Sequence, residues 1–194
     1  MRTLSAPCTT PLSWKKVRAH HRAENVIIMS RVSYAIFDTE FGWVGIVGSD
    51  GGLYRLIWHQ PSPEAVLSAL SPFLSRAIED SPFFADLPQR LRRYFRGEKA
   101  NFPDRLDLRD ATPFQRAALE LVHSIPYGET RSYAWVAKQL GKAKGFRAVG
   151  HVLARNPLPI IVPCHRVVGS DGSLVGFGSG LELKKRLLDM EASI

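Results

Sequence analysis

Cysteine is scarce in this chain of 194 residues, which contains only Cys8 and Cys164. Two cysteines cannot form a disulfide framework, so free thiols in a reducing cytoplasm are predicted. Cys8 with His20 and His21 lacks the ligand spacing of a closed four-ligand zinc site, and no metal is therefore expected.

Long apolar runs are also missing, since none reaches the roughly 18 residues needed to cross a bilayer, and no membrane partner is expected. Residues 1–31 contain six Lys/Arg and one acid, with no hydrophobic stretch long enough for a secretory signal. We predict a disordered extension there. A transit peptide and a true start at Met29 remain as alternatives.

Acidic residues are absent between Glu129 and Asp171, whereas seven Lys/Arg fall in that interval. Residues 131–194 contain ten basic and four acidic residues, a net charge of +6, while residues 32–130 are net negative. This asymmetry indicates a polyanion-binding surface in the C-terminal half. A solvated basic face explains the charges equally well at this stage.

The pattern along the chain predicts an α+β fold. Three strands, "SYAIFDT", "GWVGIVG" and "LYRLIWH", are separated by turns, which predicts a three-stranded antiparallel sheet. Helices are predicted over residues 63–78, with a break near Pro72, and over residues 86–97. The aperiodic segment 98–111 then crosses to a mostly helical second half.

Two short helices in the second half resemble a helix-turn-helix. "SYAWVAKQLG" begins at a capping Ser132 and ends at Gly141, and the basic helix "FRAVGHVLARN" follows after a short turn. The apolar run "IIV" after Pro159 predicts a short buried strand that ends near Cys164. A glycine-rich loop, "GSDGSLVGFGSG", and a last helix, "LELKKRLLDMEA", complete the chain.

Cys164 stands beside His165 and Arg166, and two interpretations are open. Neighbouring cations lower a thiol pKa, which is what a cysteine nucleophile needs, with His165 acting through a water and Glu191 as a candidate carboxylate to orient it. Cysteine is also commonly buried and inert. The adjoining basic helices favour a nucleophile acting on nucleic acid, where a base must be flipped out to be reached.

Three blocks carry a resemblance to a known family. They are "IPYGETRSYAWVAKQLG", "FRAVGHVLARNPLPIIVPCHRVVG" and "LKKRLLDME", in that order, with a looser match at "YFRGEKANFPDRLDLRDATPFQ". The chain resembles the O6-alkylguanine-DNA alkyltransferases from about residue 32 to 192. The resemblance implies an RNase H-like N-terminal domain over 32–108 and a winged helix-turn-helix-like domain over 109–194 that carries the active-site cysteine.

The resemblance also implies the activity. Cys164 matches the acceptor that takes the alkyl group from O6-alkylguanine in a flipped nucleotide of double-stranded DNA, once and irreversibly, in a cytoplasmic monomer without a cofactor. His165 matches the water-linked base and Glu191 the carboxylate that orients it. Tyr133 matches a tyrosine near the flipped base, and Asn156 the hinge between recognition helix and active site.

Further residues are assigned to DNA and to the lesion pocket by the same resemblance. Arg147 matches the arginine that fills the vacated place in the base stack, in a minor-groove complex. The other matched residues are Ala148, Gly150, His151 and Arg155 for DNA, and Val167, Phe177, Gly178 and Ser179 for the lesion pocket. Phe177 stands where the family usually has tyrosine, and His151 where a small residue is common.

Two other functions are compatible with parts of the pattern. An alkyltransferase-like protein binds the lesion without reacting, but such proteins carry another residue at the cysteine position. A helix-turn-helix regulator with an incidental cysteine would prefer one operator sequence and ignore lesions.

Overall fold

The computed structural model describes residues 32–75 and 77–193. Strands β1 (Val32–Phe37), β2 (Trp43–Ser49) and β3 (Gly52–Gln60) pair antiparallel, as the sequence predicted. A fourth strand, β4 (Ala77–Glu79), pairs parallel with β1 and gives the order β3-β2-β1-β4. The prediction of a three-stranded sheet was therefore one strand short.

A helix was predicted over residues 63–78, and that prediction was wrong for its C-terminal part, which contains the start of β4. Helix α1 (Pro63–Leu70) begins at Ser62, whose side chain accepts from the Ala65 amide at 3.2 Å. The chain leaves the α-helix at Ser71, in a short 3₁₀ turn (Ser71–Phe73) that contains Pro72. Residues beyond it reach the free edge of β1, and pairing at a sheet edge overrides local helical pattern.

Helix α2 (Leu87–Phe95) follows and forms as predicted. Its buried face includes Leu87, Leu91, Tyr94 and Phe95, which recur at helical spacing. The chain leaves the helix through Gly97, whose φ of 87° is favourable for glycine. This packing places Tyr94 in the interior that the two halves of the chain share.

The second half is built mainly from four helices. Helix α3 (Pro113–His123) begins with a capping box between Thr112 and Gln115. Helix α4 (Tyr133–Gln139) is capped by Ser132, and helix α5 (Phe146–Leu153) follows the basic turn, as predicted. Strand β5 (Arg131–Ser132) pairs parallel with β6 (Val167–Val168), and α6 (Leu181–Ala192) closes the fold.

The apolar run before Cys164 is not a strand, which corrects the sequence-based expectation. Ile160 has a φ of 73°, and the Val162 amide donates to the Leu158 carbonyl at 2.8 Å, so the run forms a buried turn. Cys164 then opens a 3₁₀ turn over Cys164–Arg166. Hydrophobicity predicted burial correctly, but a short apolar run does not specify which backbone conformation is buried.

One continuous hydrophobic cluster contains buried residues from both halves of the chain. The Leu56 amide in β3 donates to the Pro157 carbonyl at 2.9 Å, just before the buried turn that precedes Cys164. The domain boundary between residues 108 and 109 stays a prediction. The predicted extension over 1–31 and the Cys8, His20 and His21 group lie outside the described residues. None of the helices within 32–75 and 77–193 is long and apolar enough to span a membrane.

Candidate active site

The Cys164 thiol lies in a buried turn that is held by Asn156. Cys164 is 6% exposed. The Asn156 side-chain amide donates to Cys164 Sγ at 3.3 Å and to the Val162 carbonyl at 2.8 Å, and its oxygen accepts from the Leu158 amide at 3.0 Å. A single side chain just after α5 therefore ties that helix to the turn that carries the thiol.

Burial raises the pKa of the Cys164 thiol, although the Asn156 hydrogen bond and the charge of Lys184 act in the opposite direction. The sequence-based expectation was that His165 and Arg166 lower this pKa. Arg166 instead forms an ion pair with Glu191 at 2.8 Å, and burial lowers the pKa of His165 despite its hydrogen bond to Glu191. The resting state at neutral pH is therefore a thiol, with Lys184 as the cation that most favours its ionisation.

Glu191 is the centre of a buried polar network. Its Oε1 lies 2.9 Å from His165 Nε2 and accepts from Arg166 Nη2 at 2.9 Å, while Oε2 accepts from Arg166 Nε at 2.8 Å. The Tyr94 hydroxyl donates to Oε1 at 2.6 Å. Burial alone raises the pKa of the Glu191 carboxyl, but the hydrogen bonds from His165 and Arg166 and the charge of Arg166 outweigh it, so the pKa is well below its usual value. Glu191 is ionised.

This network leaves one histidine nitrogen available for proton transfer. Because Nε2 of His165 faces the Glu191 carboxylate, it carries the proton in the neutral ring. Nδ1 is buried and has no hydrogen-bond partner among the described residues. The geometry thus brings His165 and Glu191 together as predicted, and it presents Nδ1 as the basic atom.

Lys184 and Tyr94 belong to this centre and were not predicted for it from the sequence. Lys184 is fully buried, and its ammonium donates to the Val167 carbonyl at 2.6 Å and to the Val175 carbonyl at 2.9 Å. Burial lowers its pKa to about 8, whereas ionisation of the Cys164 thiol would act in the opposite direction. The burial of Lys184 could have been inferred from its position in the sequence of α6. It lies three residues before Leu187 and seven before Glu191, so the three share one buried face of the helix.

A cavity of about 810 Å³ opens beside α5 and the glycine-rich loop. Its wall contains six predicted DNA or lesion residues: Tyr133, Arg147, Gly150, His151, Phe177 and Gly178. The other predicted residues are placed elsewhere. Ala148 is exposed on α5, Arg155 lines a different cleft with Tyr54, Val167 is buried, and Ser179 lines a crevice with His59.

Tyr133 connects the cavity to the thiol. Its ring lines the cavity, and its hydroxyl lies within hydrogen-bonding distance of the Val175 carbonyl at 3.1 Å and the Gly176 carbonyl at 3.2 Å. Burial and the charge of Cys164 raise the pKa of Tyr133 to about 12, so the hydroxyl keeps its proton. The Lys184 ammonium lies 5.6 Å from the centre of the same ring. Tyr133, which lines the cavity, thus lies beside Lys184, and its pKa responds to ionisation of Cys164.

The surface around this opening is basic. Five cations near the helix pair are exposed: Lys138, Lys142, Lys144, Arg147 and Arg155. None of them forms an ion pair with another described residue, so their charges are available to a polyanion. The described residues contain no group of His, Cys, Asp and Glu that could hold a metal ion.

The site combines a basic face, a cavity and a buried cysteine network, and the comparisons with known proteins show which family the chain belongs to. Residues 113–193 match the family model of the 6-O-methylguanine DNA methyltransferase DNA-binding domain. A methylated-DNA–protein-cysteine methyltransferase of Methanosarcina acetivorans is 38% identical over 160 residues, which cover 82% of this chain and 98% of that protein.

Solved structures show the same similarity. The crystal structure of OGT from Mycobacterium tuberculosis in complex with DNA has a TM-score of 0.69 and 37% identity, over 83% of this chain and 93% of that one. The O6-methylguanine-DNA methyltransferase of Pyrococcus kodakaraensis, at 24% identity and a TM-score of 0.59, shares the fold over 82% of this chain and 98% of that one. The chain belongs to the methylated-DNA–protein-cysteine methyltransferase family.

Proposed function

We propose that this protein repairs DNA by moving the alkyl group of O6-alkylguanine onto Cys164, and that it acts as a monomer in the cytoplasm, where thiols stay reduced. The observation that carries the proposal is that Tyr133, which lines the cavity beside the basic face, lies next to Lys184 and has a pKa that responds to ionisation of Cys164. The cavity is lined by helix and loop residues and can take a purine that has left the duplex.

The proposed binding mode places α5 in the minor groove, within a winged helix-turn-helix-like half that packs on an RNase H-like half. Arg147 fills the place that the flipped guanine leaves. Gly150, which has no side chain, allows α5 to approach the DNA backbone closely. Lys142, Lys144 and Arg155 supply phosphate contacts from the same basic face.

The proposed chemistry is a single displacement. The thiol proton passes to Nδ1 of His165 through a water, Sγ attacks the alkyl carbon, and the carbon–O6 bond breaks with its electron pair moving to the guanine. The guanine then takes up one proton, so it is restored and Cys164 keeps a thioether. The network supplies no group that would cleave the S–C bond of the thioether, so each molecule reacts once.

Three side chains make this displacement easier in the proposal. Lys184 favours the thiolate by its charge, and Asn156 holds Sγ in place with its amide. Tyr133 keeps its proton at neutral pH and can donate a hydrogen bond to the departing guanine. Glu191 stabilises the imidazolium that forms when His165 takes up the thiol proton.

The direct test is the intact mass of the protein after incubation with a duplex that contains one O6-methylguanine. The mass should rise by one methylene unit, with peptide mapping to Cys164, and Cys164→Ala should show no change. Unmodified duplex is the control. Binding without any mass change would indicate a lesion-binding protein instead, and sequence-specific binding that ignores the lesion would indicate a regulator.

Affinity for the duplex should also fall steeply between 50 and 200 mM salt, roughly 10³-fold or more if six or more phosphates are contacted. An affinity that does not change with salt would contradict the assignment of the basic face to DNA.

A further inference from the structure

Phe146 is a large aromatic side chain that the fold leaves in solvent. It is the first residue of α5 and is 46% exposed. The other large hydrophobic side chains that the described residues leave exposed are aliphatic: Leu67, Ile78, Val175 and Leu181. Its ring lines the same cavity as Arg147, Gly150 and His151.

The surroundings of Phe146 indicate which partner its ring fits. Arg147 lies next to it, with the guanidinium carbon 5.9 Å from the ring centre, and Lys142 and Lys144 precede it on the exposed turn. A docking site for a protein or a membrane needs a contiguous apolar patch. A lone aromatic ring among unpaired cations matches nucleic acid, where cations contact phosphate and rings stack on bases.

Phe146 and Arg147 are also placed to act together. They are consecutive on the first turn of a helix, so their side chains diverge by about 100° around its axis. Both line the opening into which the proposed function sends the flipped guanine. One side chain can therefore fill the vacated place while the other contacts the neighbouring base step.

We propose that Phe146 stacks on a base at the DNA step from which the damaged guanine is removed, as an apolar wedge beside Arg147. The stacked ring holds the neighbouring base beside the place that Arg147 fills, and it lengthens the time that the guanine stays outside the duplex. This inference rests on the proposed function, since it takes duplex DNA as the substrate. It assigns to Phe146 a nucleobase-binding role that is separate from the chemistry at Cys164.

The test compares Phe146→Ala with Phe146→Tyr, which keeps the ring. Single-turnover transfer from a duplex containing O6-methylguanine should be slowed by about tenfold in Phe146→Ala, the scale of one lost base–aromatic contact. Phe146→Tyr should restore it. With the free base O6-benzylguanine, whose benzylic carbon is reactive and needs no base flipping, Phe146→Ala should slow the reaction much less than it slows transfer from duplex.

Leu67→Ala is the matched control, because Leu67 is 40% exposed on α1 and lies outside the lining of this cavity. It should leave every rate unchanged. If Phe146→Ala reacts with duplex as fast as wild type, the inference is wrong and the proposed function survives. Equal slowing with duplex and free base would also overturn it, because the defect would then lie in the cavity rather than on the DNA.

A second measurement does not depend on transfer. Cys164→Ser protein, with and without Phe146→Ala, is bound to a duplex that carries 2-aminopurine in the base pair next to the lesion. Stacking of Phe146 should quench the fluorescence relative to the Phe146→Ala form. Absence of transfer by wild-type protein would overturn the proposed function alone, while the quenching would still decide the role of Phe146.

Discussion

The hydroxyl of Tyr94 donates to Glu191 Oε1 at 2.6 Å, although the two residues are 97 positions apart in the chain. The same hydroxyl lies 3.2 Å from His165 Nε2. Tyr94 is on α2 and is fully buried, so the N-terminal half of the chain completes the polar network beneath Cys164. We therefore predict that Tyr94 is a positioning residue, which acts through His165 and Glu191.

Tyr94→Phe removes only this hydroxyl, and we expect two effects. The free energy of unfolding should fall by about 1.5–3 kcal/mol, the usual value of a hydrogen bond to a charged group. Alkyl transfer should slow by roughly fivefold because His165 loses part of its orientation. Urea denaturation measures the loss of stability, and single-turnover kinetics measure the rate of transfer. Tyr127→Phe is the control, since among the described residues its hydroxyl makes only a 3.4 Å contact to the Gly97 carbonyl. Equal losses of stability and of transfer rate in both variants would refute the role of Tyr94.

Lys184→Met removes the buried charge that favours the Cys164 thiolate. The thiol pKa should rise, so the rate of alkylation by iodoacetamide at neutral pH should fall by about tenfold for each unit of that rise. The rate-against-pH curve should move to higher pH, and Lys184→Arg should restore part of the rate. Lys185→Met is the control, because Lys185 is exposed and pairs with Asp189 at 2.6 Å.

Glu191→Gln tests the acid stability of the network. The Glu191 pKa is lower in the folded than in the unfolded state, so its contribution to stability is present above the unfolded pKa of about 4.3 and is lost as pH falls toward the folded value. Glu191→Gln should lower the free energy of unfolding at pH 7 by about 3 kcal/mol, because Arg166 loses its buried partner.

The difference between wild type and Glu191→Gln should therefore shrink between about pH 5 and pH 2. Chemical denaturation at several pH values measures this. Asp189→Asn, on the exposed side of the same helix, should change stability by less than about 0.5 kcal/mol at any pH. A constant difference between wild type and Glu191→Gln across that range would be inconsistent with an ionised Glu191.

Thr112→Ala should affect stability alone. It removes the capping box at the start of α3, where Thr112 Oγ1 accepts from the Gln115 amide at 3.3 Å. The free energy of unfolding should fall by about 1 kcal/mol. Alkyl transfer should proceed at the wild-type rate, and a slower rate would indicate that α3 is coupled to the site.

Much of the secondary structure can be predicted from local sequence patterns, and so can the burial of Cys164. Ser132 and Thr112 mark helix starts because a hydroxyl that accepts a backbone amide is a local device. Strand β4 is not predictable in this way, because it forms by pairing with β1, a contact that its own residues do not indicate. The turn at Ile160 resembles a strand in sequence because a buried apolar run has the same composition in both conformations.

The sequence by itself determined which residues were available for chemistry. Cys164, its neighbouring histidine, the acid-free basic interval and the spacing of the helices are all visible as local patterns. Tertiary structure alone decided the charge state of that chemistry. It paired Arg166 with Glu191, buried His165, and brought Lys184 from α6 and Tyr94 from α2 to the thiol's surroundings. The physical reason is that a pKa depends on burial and on the charges nearby in space, and neighbours along the chain are only some of those charges.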